Sequence, residues 1–589
     1  MSMRTTGCLL VGLGLGWILC ATVARADDGV VGSPHDLSAS GPGKIHALTE
    51  EQVCVFCHAP HNATGQAPLW NRFDHQVHYR IYASSTTDAR IDQPSGPSKM
   101  CLSCHDGAMA LGLIASRPET EPIAMTKRTI PPGPSDLTED LSDDHPIGFR
   151  YDRALSNRDL QIKNPDVLTP ELPLGAHGEM HCTTCHDPHN NKLGNFLREP
   201  QAWSAICLSC HEMFGWRGSS HALSQARVDD RAVDVRERLQ FHTVAENGCT
   251  SCHKIHSAGS RQRLLRFRRD ESNCLNCHSG GVARTNIESE LRKRSAHPIL
   301  LSFGRHDPKE DPRLMPRHVE CQDCHNPHAV QPSARNLTNA VRGTFETIAL
   351  AADSTTRFVP GVDRAGRPIK QSRFEYEICL KCHGEAITPV LRREIVRQVF
   401  QTNKRLEFQT SNPSFHPVFG PRRNPDVVSL IPPMRTGSVI RCTDCHNSDS
   451  AGRGVFGAPQ GPHGSNFAPL LIANYTTGEF ASESPQSYAL CYRCHDRQSI
   501  LGDESFPLHN RHVVQQRAPC SACHDAHGIS RTQGNAATHS NLINFDLSVV
   551  RPAAGGLGSR IQYNDTGTHR GNCTLTCHGV THVNFEYGR

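Results

Sequence analysis

Twelve times along this chain two closely spaced cysteines are followed at once by histidine, and that repetition leaves few folds open to it. Eleven copies read C-x-x-C-H: Cys54, Cys57 and His58; Cys101, Cys104 and His105; Cys182, Cys185 and His186; Cys207, Cys210 and His211; Cys249, Cys252 and His253; Cys274, Cys277 and His278; Cys321, Cys324 and His325; Cys379, Cys382 and His383; Cys442, Cys445 and His446; Cys491, Cys494 and His495; Cys520, Cys523 and His524. The twelfth has one more residue between its cysteines: Cys573, Cys577 and His578. Two thiols at this spacing can add to the two vinyl groups of one haem, and the adjoining imidazole then reaches the iron as proximal ligand. Zinc ribbons and disulfide frameworks also pair cysteines, but neither demands histidine after every second one. The pattern predicts twelve covalently attached haem c groups. For the Cys573 copy a disulfide or a free pair is the alternative.

Of the 26 cysteines, 24 lie in motifs and the other two, Cys8 and Cys20, in the first 20 residues. That leader has Arg4, an apolar run from Gly7 to Cys20, and Ala24-Arg25-Ala26 before Asp27, the pattern of a cleaved secretory signal over residues 1–26. A lipoprotein processed at Cys20 is disfavoured by bulky Trp17, Ile18 and Leu19. The apolar run is short for a membrane anchor, and no later stretch approaches spanning length. The expectation is an exported, non-spanning protein, periplasmic or else outer-membrane-associated or extracellular.

Residues 27–589 give about 47 per motif, too few to build a conventional core around each. Aromatics are 6% of the chain, while Gly 46 and Pro 39 make turns frequent. Porphyrin faces must then supply much of the buried apolar area. The expected architecture is haem-nucleated, with short α-helices, long irregular loops and little or no sheet. Formal charge is +4, and two propionates per haem make the loaded protein acidic. The run Arg261, Arg263, Arg266, Arg268 and Arg269 therefore reads as propionate pairing or a solvated face, not as a nucleic-acid site. The acidic stretch 136–144 reads as a solvated loop, and Arg393 to Phe400 as an apolar helical stripe.

The motifs alternate. Odd ones read C-T-T-C-H, C-T-S-C-H, C-T-D-C-H or C-Q-D-C-H, whereas most even ones place Leu102, Leu208, Leu275, Leu380 or Tyr492 after the first cysteine. Odd motifs usually continue to a second histidine three residues on, as in His58-Ala59-Pro60-His61 and His186-Asp187-Pro188-His189. Six tandem two-haem modules follow from this: 27–130, 131–219, 220–290, 291–405, 406–505 and 506–589. With Lys99-Met100-Cys101 through Gly107, Asp144-His145-Pro146 and the terminal Cys577-His578-Gly579, the alternation resembles the doubled-CXXCH multihaem c-type cytochromes over nearly the whole chain. That resemblance implies bis-histidine, low-spin haems packed in a row for electron transfer in the periplasm or at the cell surface.

Distal ligands can be proposed by counting, since 24 of the 36 histidines lie outside the proximal positions. One set of six follows the odd motifs: His61, His189, His256, His328, His463 and His527, with His463 standing in where Asn447-Ser448-Asp449 breaks the pattern. A second set opens each module: His35, His145, His221, His297, His416 and His509, with His512 a rival to the last. A competing set nearer the odd motifs comprises His46, His177 or His181, His242, His318 and His512. A histidine three residues past a proximal ligand is expected to bind the iron of a neighbouring haem, with stacked and perpendicular haem pairs alternating along a wire.

Two function classes follow. In the first the protein is no enzyme but a conduit for single electrons, with other cytochromes, quinol-oxidising complexes, an outer-membrane porin-cytochrome complex or an extracellular metal oxide as partners. In the second it is a multihaem oxidoreductase whose open-site haem acts on a small nitrogen or sulfur species. No C-x-x-C-K occurs, and histidine suffices to close every site, which favours the conduit.

Overall fold

The structure is a computed structural model that describes residues 29–64, 68–74, 76–228, 239–301, 307, 310–311, 313–314, 318–330, 359–386, 395–421, 424–451, 458–553 and 560–588. The expected leader at 1–26 lies outside them. The chain forms two compact units, one of residues 1–76, 99–136 and 183–198, the other of residues 77–98, 137–182 and 199–589.

Helices are short and gather at the even motifs. α1 (Gly96–His105), α2 (Ala205–Cys210), α3 (Asp270–His278) and α4 (Glu375–His383) each contain one. Asp270 and Glu271 open α3, and Glu375 and Glu377 open α4, where carboxylates oppose the positive end of the helix dipole. α1 stops at its histidine because Gly107 takes a φ of +70, and a Cβ there would lie 2.6 Å from the Asp136 carboxylate. Odd motifs occupy single turns instead, such as Val53–Phe56, Cys182–Cys185, Cys321–Cys324 and Cys442–Asp444.

Strand pairing up to residue 530 is limited, among the described residues, to two-residue ladders and isolated bridges; Ser295–Ala296 against Gly464–Ser465 is typical. The C-terminus departs from the expectation of little sheet. β1 (Val550–Arg551), β2 (Gln562–Gly567), β3 (Arg570–Cys577) and β4 (Val580–Tyr587) form an antiparallel sheet with β3 at its centre. Valine, threonine, tyrosine and phenylalanine are dense here, and such residues suit a pleated surface. The helical stripe expected over 393–400 is not helical in its described part, 395–400, where Arg397 forms a β-bridge with Asp546.

Among the described residues no single core runs through either unit. Apolar side chains bury in separate clusters, and four of these abut motif cysteines. Ala47, Phe56, Ile114 and Ile123 meet Cys57; Phe149, Tyr151, Leu155 and Met180 meet Cys210; Val362, Tyr376, Leu380 and four neighbours meet Cys442; Phe545, Tyr563, Leu575 and others meet Cys523, Cys573 and Cys577.

Candidate haem sites

The attachment peptide is built alike at most C-x-x-C-H motifs. The histidine N–H donates to the carbonyl of the first cysteine, at 2.8 Å for His58, His211 and His446, 2.9 Å for His253 and His524, and 3.0 Å for His325 and His495. One helical turn thus brings two thiols three residues apart onto one side.

Five of the six odd motifs are then locked by a return segment. His58 bridges Trp70, His186 bridges Leu197, His253 bridges Leu265, His446 bridges Leu471 and His524 bridges Ile543. The residue before each bridge partner has a positive φ: Leu69, Phe196, Leu264, Leu470 and Leu542, between 51° and 61°. This backbone costs a bulky residue about 1–2 kcal/mol, and the cost recurs at five sites because it aims a carbonyl at the histidine. Nδ1 of His58 donates to Pro68 at 2.8 Å, of His186 to Asn195 at 2.9 Å, of His253 to Arg263 at 2.7 Å, of His446 to Pro469 at 3.0 Å and of His524 to Asn541 at 3.0 Å. A carbonyl only accepts, so the proton sits on Nδ1 and Nε2 keeps its lone pair for a metal. For motif 7 the corresponding stretch falls largely in 331–358, outside the described residues.

Nine proximal histidines face a second imidazole. Ring centres are 6.1 Å apart for His35 and His105 and for His58 and His189, 6.3 Å for His145 and His211, 6.2 Å for His221 and His278 and for His253 and His328. They are 6.0 Å apart for His325 and His463 and for His446 and His527, 6.5 Å for His416 and His495, and 6.4 Å for His509 and His524. A metal–imidazole bond of about 2 Å, with about 1.1 Å from nitrogen to ring centre, requires about 6.2 Å between two axial rings. The residues fit a six-coordinate haem iron between each pair.

Many of these rings keep some accessible surface, yet protein packs around them densely enough that burial leads their electrostatics. Burial, and next the facing ring, hold His35, His145, His278 and His446 down to about 4 and His328, His463 and His509 down to about 3. Neutral imidazole is the form that binds iron.

The Doubled CXXCH motif family matches residues 175–215, 242–283 and 432–500. Over those three stretches the chain carries the doubled-CXXCH motif of multihaem c-type cytochromes. It is similar to a multiheme cytochrome MtrA of Shewanella baltica, with 26% identity over 160 residues, 25% of this chain and 36% of the relative. The matched stretch thus spans little more than a third of that protein's length.

Successive attachment peptides of the cytochrome meet through their sulfurs, which stand in for the thioether sulfurs of the loaded protein. Burial pushes the thiols of Cys57, Cys252, Cys445 and Cys523 up to about 12, and each senses the following even motif: Cys104, Cys277, Cys494 and Cys573 with Cys577. Burial does the same to Cys324, which senses Cys379 and Cys382. Even motifs reach the next odd one through first cysteines. The Cys274 thiol bonds with Cys321 and that of Cys379 with Cys442, contacts that, ahead of burial, raise both Cys274 and Cys379. Cys249 is lowered chiefly by Cys207, and Cys520 is raised by burial and then by Cys491. From motif 4 to motif 12 the peptides are neighbours in sequence order. Side chains just upstream of even motifs tie these junctions: Ser204 Oγ accepts from Cys249 N at 2.8 Å, and Glu375 Oε1 accepts from Thr443 N at 2.9 Å.

Several sequence expectations are revised. His189, His328, His463 and His527 face the proximal histidine two motifs back, not one. His509 faces His524 of motif 11. His61 is exposed and faces no imidazole among the described residues of its unit. His256 Nδ1 donates to Asp144 Oδ1 at 3.0 Å, which makes Asp144 a buried partner and not part of a solvated loop. His297 Nδ1 donates to the Pro462 carbonyl at 2.6 Å. Of the rivals, His318 points Nε2 to Glu310 at 3.2 Å, while His46 and His512 donate Nδ1 to the carbonyls of Ala47 and Leu508. Within the arginine run, Arg261 pairs with Asp140, Arg263 with Asp270 and Arg269 with Glu271, and Arg266 donates to the Thr250 carbonyl inside motif 5.

Motif 12 does not fit haem in this arrangement. Cys573 and Cys577 lie on one face of β3 but four residues apart in a strand, about 13 Å, beyond what one porphyrin's two vinyl groups span. His578 and Gly579, with φ of 50° and 76°, form the two-residue turn into β4, and His578 Nε2 meets Glu479 Oε1 at 2.7 Å. No helix among the described residues is long and apolar enough to cross a membrane.

Proposed function

We propose that this cytochrome conducts single electrons along a row of bis-histidine haems, organised as six two-haem modules over 27–589 with the boundaries given above. The nine imidazole pairs at 6.0–6.5 Å carry the reading, because a site closed on both faces exchanges electrons but binds no substrate. Haem iron so held changes oxidation state one electron at a time, with little rearrangement of its ligands. The chain's own part is to fix each ring through Nδ1, to keep the rings neutral by burial, and to set neighbouring attachment peptides edge to edge. Proximal ligands are the motif histidines. Distal ligands are His189, His35, His145, His328, His221, His463, His527, His416 and His509 for motifs 1, 2, 4, 5, 6, 7, 9, 10 and 11. His297, the opener of its module, serves motif 8.

Twelve haems is the count the motifs propose, and the twelfth requires residues 573–577 to leave β3 for a helical turn, where a C-x-x-x-C spacing also puts both thiols on one side. The partners proposed are other cytochromes, quinol-oxidising complexes or an outer-membrane porin-cytochrome complex, and likeness to a multiheme cytochrome supports electron exchange with redox proteins of this kind. The leader-like run from Gly7 to Cys20 supports an exported location, periplasmic or at the cell surface, where an extracellular metal oxide is a further proposed acceptor. One observation favours the oxidoreductase alternative: His578 faces a carboxylate and not an imidazole. Electron paramagnetic resonance (EPR) of the oxidised holoprotein, with haem quantified, tests the choice. Low-spin iron throughout supports the conduit, and a stoichiometric high-spin signal supports the enzyme.

A further inference from the structure

The facing imidazoles fall into two orientation classes, and the classes follow motif parity. At odd motifs the ring planes meet at 23° for His58 and His189, 14° for His253 and His328, 15° for His325 and His463, 44° for His446 and His527, and 42° for His524 and His509. At even motifs they cross at 62° for His105 and His35, 81° for His211 and His145, 68° for His278 and His221, and 60° for His495 and His416. The two groups do not overlap.

Different construction produces the difference. Where its return segment is described, an odd proximal ring is pinned by it, and except at motif 11 the partner comes from the stretch that follows another odd motif. An even proximal ring sits at the end of a longer helix or turn, and its partner comes from a module-opening segment. His145 Nδ1, for example, donates to the Pro146 carbonyl at 3.1 Å and His221 Nδ1 to that of Pro327 at 2.9 Å.

Ring orientation has an electronic consequence. Low-spin ferric iron carries one hole in the two d orbitals that overlap the π systems of its axial ligands. Each imidazole raises the orbital perpendicular to its own plane. Near-parallel rings raise the same orbital, open a wide gap and confine the hole, which yields a rhombic resonance. Crossed rings raise both equally, leave them nearly degenerate and yield a highly anisotropic resonance with one very large g value. Confining the hole also stabilises the ferric state, so axial-ligand geometry becomes a lever on potential.

We propose that haems at odd motifs form a rhombic, lower-potential class and haems at even motifs a highly anisotropic, higher-potential class, so that two kinds of site alternate along the chain. This rests on the bis-histidine reading above. The experiment is low-temperature EPR of the oxidised holoprotein and of His328→Met and His145→Met, each with haem counted. We expect both low-spin signals in the unaltered protein. His328→Met should lose one site's share of the rhombic signal only, and His145→Met one share of the anisotropic signal only. His463→Met and His221→Met repeat the comparison if either variant fails to load fully. A single low-spin class, or depletion of the opposite class, overturns the alternation and leaves bis-histidine ligation standing. High-spin iron at more than one site's share in the unaltered protein overturns the ligation itself.

Discussion

His527 differs from most of the ligand set in what its Nδ1 meets: Glu407 Oε2 at 3.1 Å, with the other carboxylate oxygen on Lys404 at 2.6 Å. His221 and His253 donate to neutral carbonyls instead. A carboxylate partner makes the imidazole a stronger electron donor and favours the oxidised metal. Glu407→Gln should therefore raise the potential of one haem by on the order of 50 mV, close to a tenfold change in a one-electron equilibrium. Redox titration reads this, and an unmoved curve at full haem content would show that Lys404 already neutralises the carboxylate. Arg72 matters for stability instead. Its guanidinium, 1% exposed, donates to the carbonyls of Leu111, Ser103 and Ala110. Arg72→Met leaves the Ala110 carbonyl its bond from Leu113 N at 3.1 Å but orphans those of Leu111 and Ser103, at about 1–3 kcal/mol each, and should lower holoprotein stability by at least about 2 kcal/mol in denaturant unfolding. At this scale the cysteines and proximal histidines were legible, because chemistry fixes their spacing. Distal partners were legible only as a candidate set. Which ring meets which depends mostly on contacts between segments far apart in sequence, as with His58 and His189, and no local pattern encodes that.

Among elements, the return segments escaped the sequence reading although they recur five times. Their hydrophobic pair, Leu69-Trp70, Phe196-Leu197, Leu264-Leu265, Leu470-Leu471 or Leu542-Ile543, follows its histidine at intervals that vary from motif to motif. Variable loops hid the repeat, and a leucine at positive φ looks like any other leucine. The C-terminal sheet escaped for another reason: a cysteine motif read as helical overrode the strand-forming residues around it. β3 makes a sharp prediction. With the strand intact, intact-mass analysis under denaturing conditions should find eleven thioether-linked haems, and replacing Cys573 and Cys577 together with serine should leave that mass unchanged apart from the two oxygen-for-sulfur exchanges. Twelve haems, falling to eleven in the double variant, would instead establish that the strand yields to a helical turn on loading.

For the molecule as a whole, the separate apolar clusters bear on how it folds. Each is small, and four press against motif cysteines, so the surfaces that should join one cluster to the next are the faces of the attachment peptides. Burying a leucine or phenylalanine contributes about 1.5–3 kcal/mol, while ordering each residue costs about 1–2 kcal/mol of backbone entropy. Clusters of four to seven side chains cannot offset that cost over a chain this long. Porphyrin supplies the missing apolar area and at the same time crosslinks the peptide through its thioethers and its iron, so cofactor attachment and folding are coupled. Chain produced in cells lacking the haem-attachment machinery should therefore be largely unfolded, with rapid digestion by a dilute protease and weak far-ultraviolet dichroism, whereas holoprotein resists the same protease. Comparable protease resistance in the haem-free chain would mean that protein contacts alone carry the fold. The regular succession of sulfur contacts from motif 4 to motif 12 would then belong to the polypeptide and not to the haems it is built to hold.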